Sequence, residues 1–312
     1  MTRHRRGGLA LACAAATLIL AAAPGSSALA QNLAAMEARA AELQKAPIPY
    51  KTSEEHYAAL KRAANGGDKL TYAALPDWTG FWTRGASANT QHAKLPLKPE
   101  YAAAFEKIQA DVKRGVEWDH LSYCLPAGYP RVNNEPFLKE FVIRPDQTWI
   151  MNEQVSEVRR VYTDGRGHPP ADEAFPLWEG HSIGFWSKGT LVVHTNNVMS
   201  FPSAYSRSSP AQSDQLTTVE EWRKVGPDLI ELVTTLYDPV VLTRPYKIVN
   251  HIVRVKEPGT RIDLWVCNEN NRAVRTADGV TQFILPGEAG DKAPGLAGFL
   301  QQEQQAGAAA AR

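Results

Sequence analysis

The sequence predicts a mainly β protein, an antiparallel barrel or strongly curved sheet with helices ahead of it. Three observations carry this expectation. From Phe137 onward, short alternating or β-branched runs follow one another, separated by turn residues. Hairpin-length connections join some of them, such as Ser187-Lys188-Gly189 and Gly226-Pro227-Asp228. No helical crossover interrupts the runs, which argues against a parallel α/β sheet.

The elements follow in order. Residues Leu33 to Gln44 are mostly Ala, Leu, Glu and Arg, good helix formers, and Pro47 and Pro49 stop them. A second helix is expected from Thr52, because Thr52 and Glu55 have the spacing of a capping box, with Gly66-Gly67 as its end. Pro99 at a first-turn position, apolar Tyr101, Phe105 and Ile108, and Gly115 beyond the end mark a third. A first strand is expected near residues 78–84, inside this helical layer of residues 31–115. In the β domain of residues 116–286, strands are expected at Leu138–Arg144, Thr148–Met151, Glu157–Tyr162, Ser182–Trp186, Thr190–Val198, Leu216–Arg223, Leu229–Tyr237, Tyr246–Val255 and Thr260–Cys267. The tail 287–312, rich in Gly, Ala and Gln, has little to bury and is expected to be flexible.

The N-terminus reads as a cleavable export signal over residues 1–30. Arg3, Arg5 and Arg6 precede an apolar run from Leu9 to Ala23, and Ala28-Leu29-Ala30 gives a small-residue cleavage site. The run is short of the roughly 20 residues that span a bilayer, so no membrane anchor is expected, and Cys13 leaves with the signal. The mature chain is then expected in the periplasm or outside the cell. Of 34 basic and 33 acidic residues, removal of three arginines leaves 31 against 33. That balance argues against nucleic acid as the partner. In an oxidising compartment the remaining pair, Cys124 and Cys267, is most simply a disulfide, with two buried thiols as the alternative.

Asp77-Trp78-Thr79-Gly80-Phe81-Trp82 contains a Gly-x-Trp element that resembles the first-strand signature of lipocalins and other calycin barrels. The resemblance implies a structural Trp82 beside Gly80, with a basic residue of a late strand, Arg254 or Arg261, packed over the ring. Longer stretches resemble a family of exported bacterial proteins that carries no assigned activity. They are Tyr123-Cys124-Leu125-Pro126, Tyr162-Thr163-Asp164-Gly165-Arg166 with His168-Pro169, Gly180-His181-Ser182-Ile183-Gly184 with Trp186, Thr190-Leu191-Val192-Val193, and Cys267-Asn268-Glu269-Asn270-Asn271. This chain departs from the family at His194, where Asp is usual, and between Ser203 and Thr218, where Gln and Thr replace a His-bearing stretch.

Five residues form the candidate catalytic set: His181, His168, Asp164, Tyr162 and Arg166. His181 stands between Gly180 and Ser182 at a strand entry, and its imidazole suits acid or base work near neutral pH. Tyr162, Asp164, Arg166 and His168 occupy a strand end running into glycines and prolines, either as the mouth of a cavity or as a tight turn fixed by Arg166. The wide spacing of His168, His181 and His194 does not resemble paired zinc-ligand motifs, so no metal is expected. Nucleotide loops and the serine-hydrolase elbow are missing as well, and no cofactor is expected. A barrel lined by some of Trp149, Trp178, Trp186, Trp222 and Trp265 suits a small apolar or aromatic molecule. The leading expectation is therefore a lipocalin-like binder. The alternatives are a cofactor-free lyase, isomerase or hydrolase using His181 in the same cavity, and an interaction module presenting a Trp-rich surface.

Overall fold

The computed structural model describes residues 24–85, 95–201, 204–205, 209–265, 273–276 and 280–283. The apolar run, Cys13, Cys267 with the Asn-rich stretch after it, and the tail lie outside the described residues. Nine strands close into one barrel in sequence order: β1 (Phe81–Arg84), β2 (Lys139–Ile143), β3 (Gln147–Asn152), β4 (Val158–Tyr162), β5 (His181–Ser187), β6 (Thr190–Asn196), β7 (Thr217–Gly226), β8 (Leu229–Tyr237) and β9 (Tyr246–Arg254). Among the described residues three α-helices accompany it, α1 (Pro24–Lys45), α2 (Ser53–Ala63) and α3 (Pro99–Lys113). A two-stranded ribbon, β10 (Ala273–Arg275) with β11 (Thr281–Phe283), stands apart from the barrel sheet. Among the described residues no helix is long and apolar enough to cross a membrane.

The barrel is mixed rather than wholly antiparallel. β4 and β5 run parallel, with Val161 opposite Ser182 and Tyr162 opposite Ile183, and every other neighbouring pair is antiparallel. Parallel neighbours require a crossover instead of a hairpin. Here the crossover is an irregular segment between Tyr162 and His181, without the helical period that would have announced it. The strand expected at Thr260–Cys267 is not formed over Thr260–Trp265. The reason is closure: β9 already pairs with β1, Trp82 opposite Arg254, so that edge is occupied. Leu264 is left 81% exposed.

Alternation sorts the side chains. Near one end the inward positions carry Trp82, Phe141, Ile150, Val161, Trp186, Leu191, Trp222, Ile230, Leu232 and Ile252, closed off by Trp78. The rings meet edge to face, Trp78 with Trp186 at 5.0 Å and Trp78 with Phe141 at 5.1 Å between centroids. Of the five tryptophans expected to line a cavity, only Trp186 and Trp222 belong to this filled core. Trp149 lies against Arg160, Trp178 packs beside Phe201, and Trp265 meets Phe137 on the periphery. Trp82 is fully buried, its Nε1 donates to the Trp78 carbonyl at 2.9 Å, and the Arg254 guanidinium lies 4.3 Å from its ring centre. Arg254 also donates to the Thr79 carbonyl. Gly80 has φ +90°, and a Cβ there would meet Arg254 Nη1 at 2.6 Å, so the turn and the close approach both require glycine. Arg261, the other candidate, instead pairs with Asp263 at the surface.

Farther along the barrel the interior is polar. Arg159 pairs with Glu220 at 2.5 Å and donates to Thr195 (2.8 Å) and Ser182 (3.2 Å). Asn133 donates to the same carboxylate at 2.7 Å, and Tyr129 places its ring 4.2 Å from the Arg159 guanidinium. Lys139, fully buried, donates to the carbonyls of Glu135 and Phe137, and burial lowers its pKa to about 8. Nearby, Glu157 and Glu179 face each other, and burial holds both carboxyls above the usual carboxylate range, with the Glu179 charge adding to the rise at Glu157.

The helices cover the outer wall. Thr52 caps α2 by accepting from the Glu55 N–H at 3.2 Å, while the Glu55 carboxylate reaches the Lys51 N–H at 3.0 Å, one residue short of the reciprocal bond expected of the capping box. The apolar face of α2, with Tyr57 and Leu60, packs against Phe185, Val192 and Val219 on the outside of the sheet. α1 lies along β9 and is tied down by Arg39 to Glu231 at 2.6 Å and Gln44 to Tyr246 at 2.9 Å. These anchors follow Ala30 and so belong to the chain that cleavage would leave.

Candidate functional site

The five candidate residues come together on the outer wall, not in the barrel cavity where His181 was expected. In β5, Ser182, Gly184 and Trp186 point inward, so His181, Ile183 and Phe185 point outward. In β6, Thr195 reaches Arg159 inside, so His194 also points outward. A Cβ on Gly184 would meet the Val192 carbonyl oxygen at 2.5 Å and Val161 at 2.9 Å, which fixes how closely β4, β5 and β6 approach beneath the histidines. His168, carried by the β4–β5 crossover, lies between the two. Its Nδ1 is 2.8 Å from His181 Nδ1 and its Nε2 is 2.7 Å from His194 Nδ1.

The chain continues inward. His194 Nε2 is 2.8 Å from Ser53 Oγ at the start of α2, Ser53 donates to Thr217 Oγ1 at 2.7 Å, and Thr217 donates to the Tyr237 carbonyl at 3.5 Å. The far end favours one order of the protons. A carbonyl only accepts, so Thr217 spends its proton there and accepts from Ser53. Ser53 must then accept from His194 Nε2–H. His194 Nδ1 consequently accepts from His168 Nε2–H, and His168 Nδ1 accepts from His181 Nδ1–H. Three neutral imidazoles thus line up in one direction, and the chain ends on the unshared pair of His181 Nε2.

The surroundings favour the neutral rings. Burial lowers the pKa of His194 to about 4; burial, reinforced by its two neighbouring histidines, lowers that of His168 to about 3. Burial and the Arg166 charge lower that of His181. Tyr162 stacks on His181 with ring centres 5.6 Å apart, Arg166 lies 4.3 Å over the Tyr162 ring, and Asp164 grips Arg166 at 2.6 Å. The turn reading and the site reading of this loop therefore describe one structure: Asp164 fixes Arg166, and Arg166 with Tyr162 frames His181. Among the described residues no group of three or more His, Cys, Asp or Glu could hold a metal ion. His168 uses opposite ring nitrogens for its two neighbours, so the rings form a line and do not converge on a point.

Neither a family model nor a curated protein matches the chain. What the site does must be read from its own geometry. Sequence reasoning missed Ser53, Thr217 and Tyr57, whose ring lies 5.5 Å from that of His194. Ser53 and Thr217 are 164 residues apart and share no local motif; the one available signal was that His194 alternates onto the same outward face as Val192.

A pH dependence of stability follows. His56, buried under Tyr237, is depressed to about 4 like His194. An unfolded histidine titrates near 6.5, so below that pH the unfolded chain binds protons that the folded chain refuses, and stability falls on acidification. Between about pH 6.5 and 4.5 the Glu157–Glu179 pair, with raised folded pKa values, opposes this trend. Below about 4.5 that opposition ends, and stability is expected to drop by about 2 kcal/mol per pH unit down to about pH 4. Urea denaturation at closely spaced pH values measures it, and a flat profile between pH 4.5 and 4 would contradict the depressed histidines.

Proposed function

We propose that the protein is an exported enzyme that carries out a cofactor-free acid–base step, of the lyase, isomerase or hydrolase type, with His181 as the group that exchanges the proton. The single observation behind this reading is the line of hydrogen-bonded rings from Ser53 through His194 and His168 to His181, whose favoured proton order leaves an unshared pair on His181 Nε2. A base that is neutral at pH 7 offers its unshared pair, and neighbours that exchange tautomers hand the proton onward without any ring having to stay charged, an arrangement suited to general acid–base work. Tyr162 and Arg166 are the positioning residues, and Asp164 holds Arg166. The export signal and the resemblance to exported bacterial proteins support a periplasmic or secreted location. The Cys124–Cys267 bridge belongs to the same reading, supported by the two cysteines that remain once the export signal is removed.

A second reading, a lipocalin-like carrier of a small apolar or aromatic molecule, draws on the closed barrel and the Arg254–Trp82 contact. The aromatic and ion-paired side chains that fill the inward positions favour the enzyme over a carrier that uses the barrel interior.

The test is deuterium wash-in and product formation in D₂O with a panel of enolisable ketones, β-hydroxy acids and small esters. Turnover by the wild type is expected, and His181→Ala should lower it about 10²-fold or more with the melting temperature unchanged. No turnover on any panel member, or equal turnover by the variant, would remove this reading.

A further inference from the structure

The inner end of the histidine chain does not stop in the core. Ser53 and Thr217 both line an open-sided pocket of about 520 Å³, walled by the first turn of α2, the start of β7 and the segment after β8. We propose that this pocket binds a small apolar or aromatic carboxylate, and that Ser53 and Thr217 couple the bound molecule to His181 through His194 and His168. The proposal deepens the acid–base reading above by assigning a substrate class and a second terminus to the same proton path.

Cations outnumber acids in the pocket, three to two. Lys51, Lys98 and Arg244 line it. Lys98 donates to the Pro239 carbonyl at 2.7 Å and Arg244 to the Pro245 carbonyl at 3.4 Å, and among the described residues neither is paired with a carboxylate. Of the two acids in the lining, Asp238 is held by neutral donors: it accepts from the Ser213, Val240 and Val241 N–H groups and from the Ser213 hydroxyl. Glu54 is 67% exposed and leans toward His194, 3.9 Å away. A second recess abuts the first at Arg244 and Pro245 and adds Lys45 and Lys247 to the same field. Leu242, Pro239 and Pro245 offer an apolar surface to the rest of the molecule. An anionic group on an apolar body meets both demands.

The path balances proton for proton. A proton arriving at His181 Nε2 sends the Nδ1 proton of His181 to His168 Nδ1. The Nε2 proton of His168 then moves to His194 Nδ1, and the Nε2 proton of His194 moves to Ser53. The hydroxyl proton of Ser53 passes to Thr217, and that of Thr217 passes to an acceptor atom on the bound molecule. One proton enters, one leaves, and each ring ends as the other tautomer with all its hydrogen bonds still made. Both directions of the chain are therefore allowed, and the hydroxyl at the pocket decides between them.

The experiment uses the mature chain with ¹⁵N-labelled histidine, benzoate as the probe and neutral benzamide as the control. Benzoate is expected to bind at least about tenfold tighter than benzamide, the scale of one favourable charge contact, and Lys98→Gln should abolish most of that preference. Binding is expected to shift the His194 and His181 nitrogen signals. Thr217→Val removes the acceptor of Ser53, so Ser53 should turn and donate to His194, reversing the chain and converting His181 Nε2 from a bare to a protonated nitrogen at pH 7. No saturable benzoate binding, a preference untouched by Lys98→Gln, or binding with no histidine response would each overturn the proposal. The acid–base reading stands or falls separately, on wash-in by wild type and His181→Ala.

Discussion

Arg159→Met is expected to lower the unfolding free energy by about 3–5 kcal/mol, the range for breaking a buried ion pair from one side. The guanidinium is 3% exposed and Glu220 0%. Methionine fills much of the space but leaves the Glu220 carboxylate with neutral partners only, the Asn133 amide and the Tyr129 hydroxyl, inside a wall that water does not reach. Ser182 and Thr195 lose their donor at the same time, and these are the strand neighbours of His181 and His194. The loss should therefore appear twice, as a lower midpoint in urea denaturation and as broadened histidine signals. Adding Glu220→Leu removes the stranded charge, and the double variant should recover most of the stability. A loss below about 1 kcal/mol in the single variant would mean that the pair is solvated and the polar end of the barrel open.

Trp82→Ala is the second large effect, expected at about 3–5 kcal/mol as a large-to-small change in a packed core. Trp82 is fully buried, lies edge to face with Phe141 and carries Arg254 on its ring. The residues around it belong to β1, β2 and β9, so truncation opens a cavity at the seam where the barrel closes. Calorimetry is the check. A variant that melts with the wild type would show that the seam holds without the indole and that Arg254 is placed by Asp228 and the carbonyls of Thr79 and Pro227.

Strands were legible where the signal was local. Alternation and turn residues located β2 to β9 within a few positions, because one face of each packs on the core and the other faces a helix or solvent. The parallel β4–β5 pair was not legible, since Thr163 to Gly180 has no period that states where the chain returns. Alternation in Arg261-Ile262-Asp263-Leu264-Trp265 was real but misleading: a strand pattern needs a free edge, and β1 had taken it. At the site, the grouping of Tyr162, Asp164, Arg166 and His168 was visible because one loop carries it. Its continuation through His194 to Ser53 and Thr217 depends on three elements meeting in space, and no single stretch of sequence records that.

The number of strands has a consequence of its own. Around a closed ring, each antiparallel step reverses the chain direction, and the ring is consistent only if the reversals are even in number. Nine strands cannot all be antiparallel to their neighbours; one step must keep its direction, and here it is the step from β4 to β5. That single uneven step obliges the chain to travel back along the outside of the wall before it can pair again. The return path delivers Asp164, Arg166 and His168 beside His181, where a tight hairpin would have had no length to carry them. The arithmetic of closure thus sets aside one stretch of backbone from sheet building and leaves it free to furnish a site.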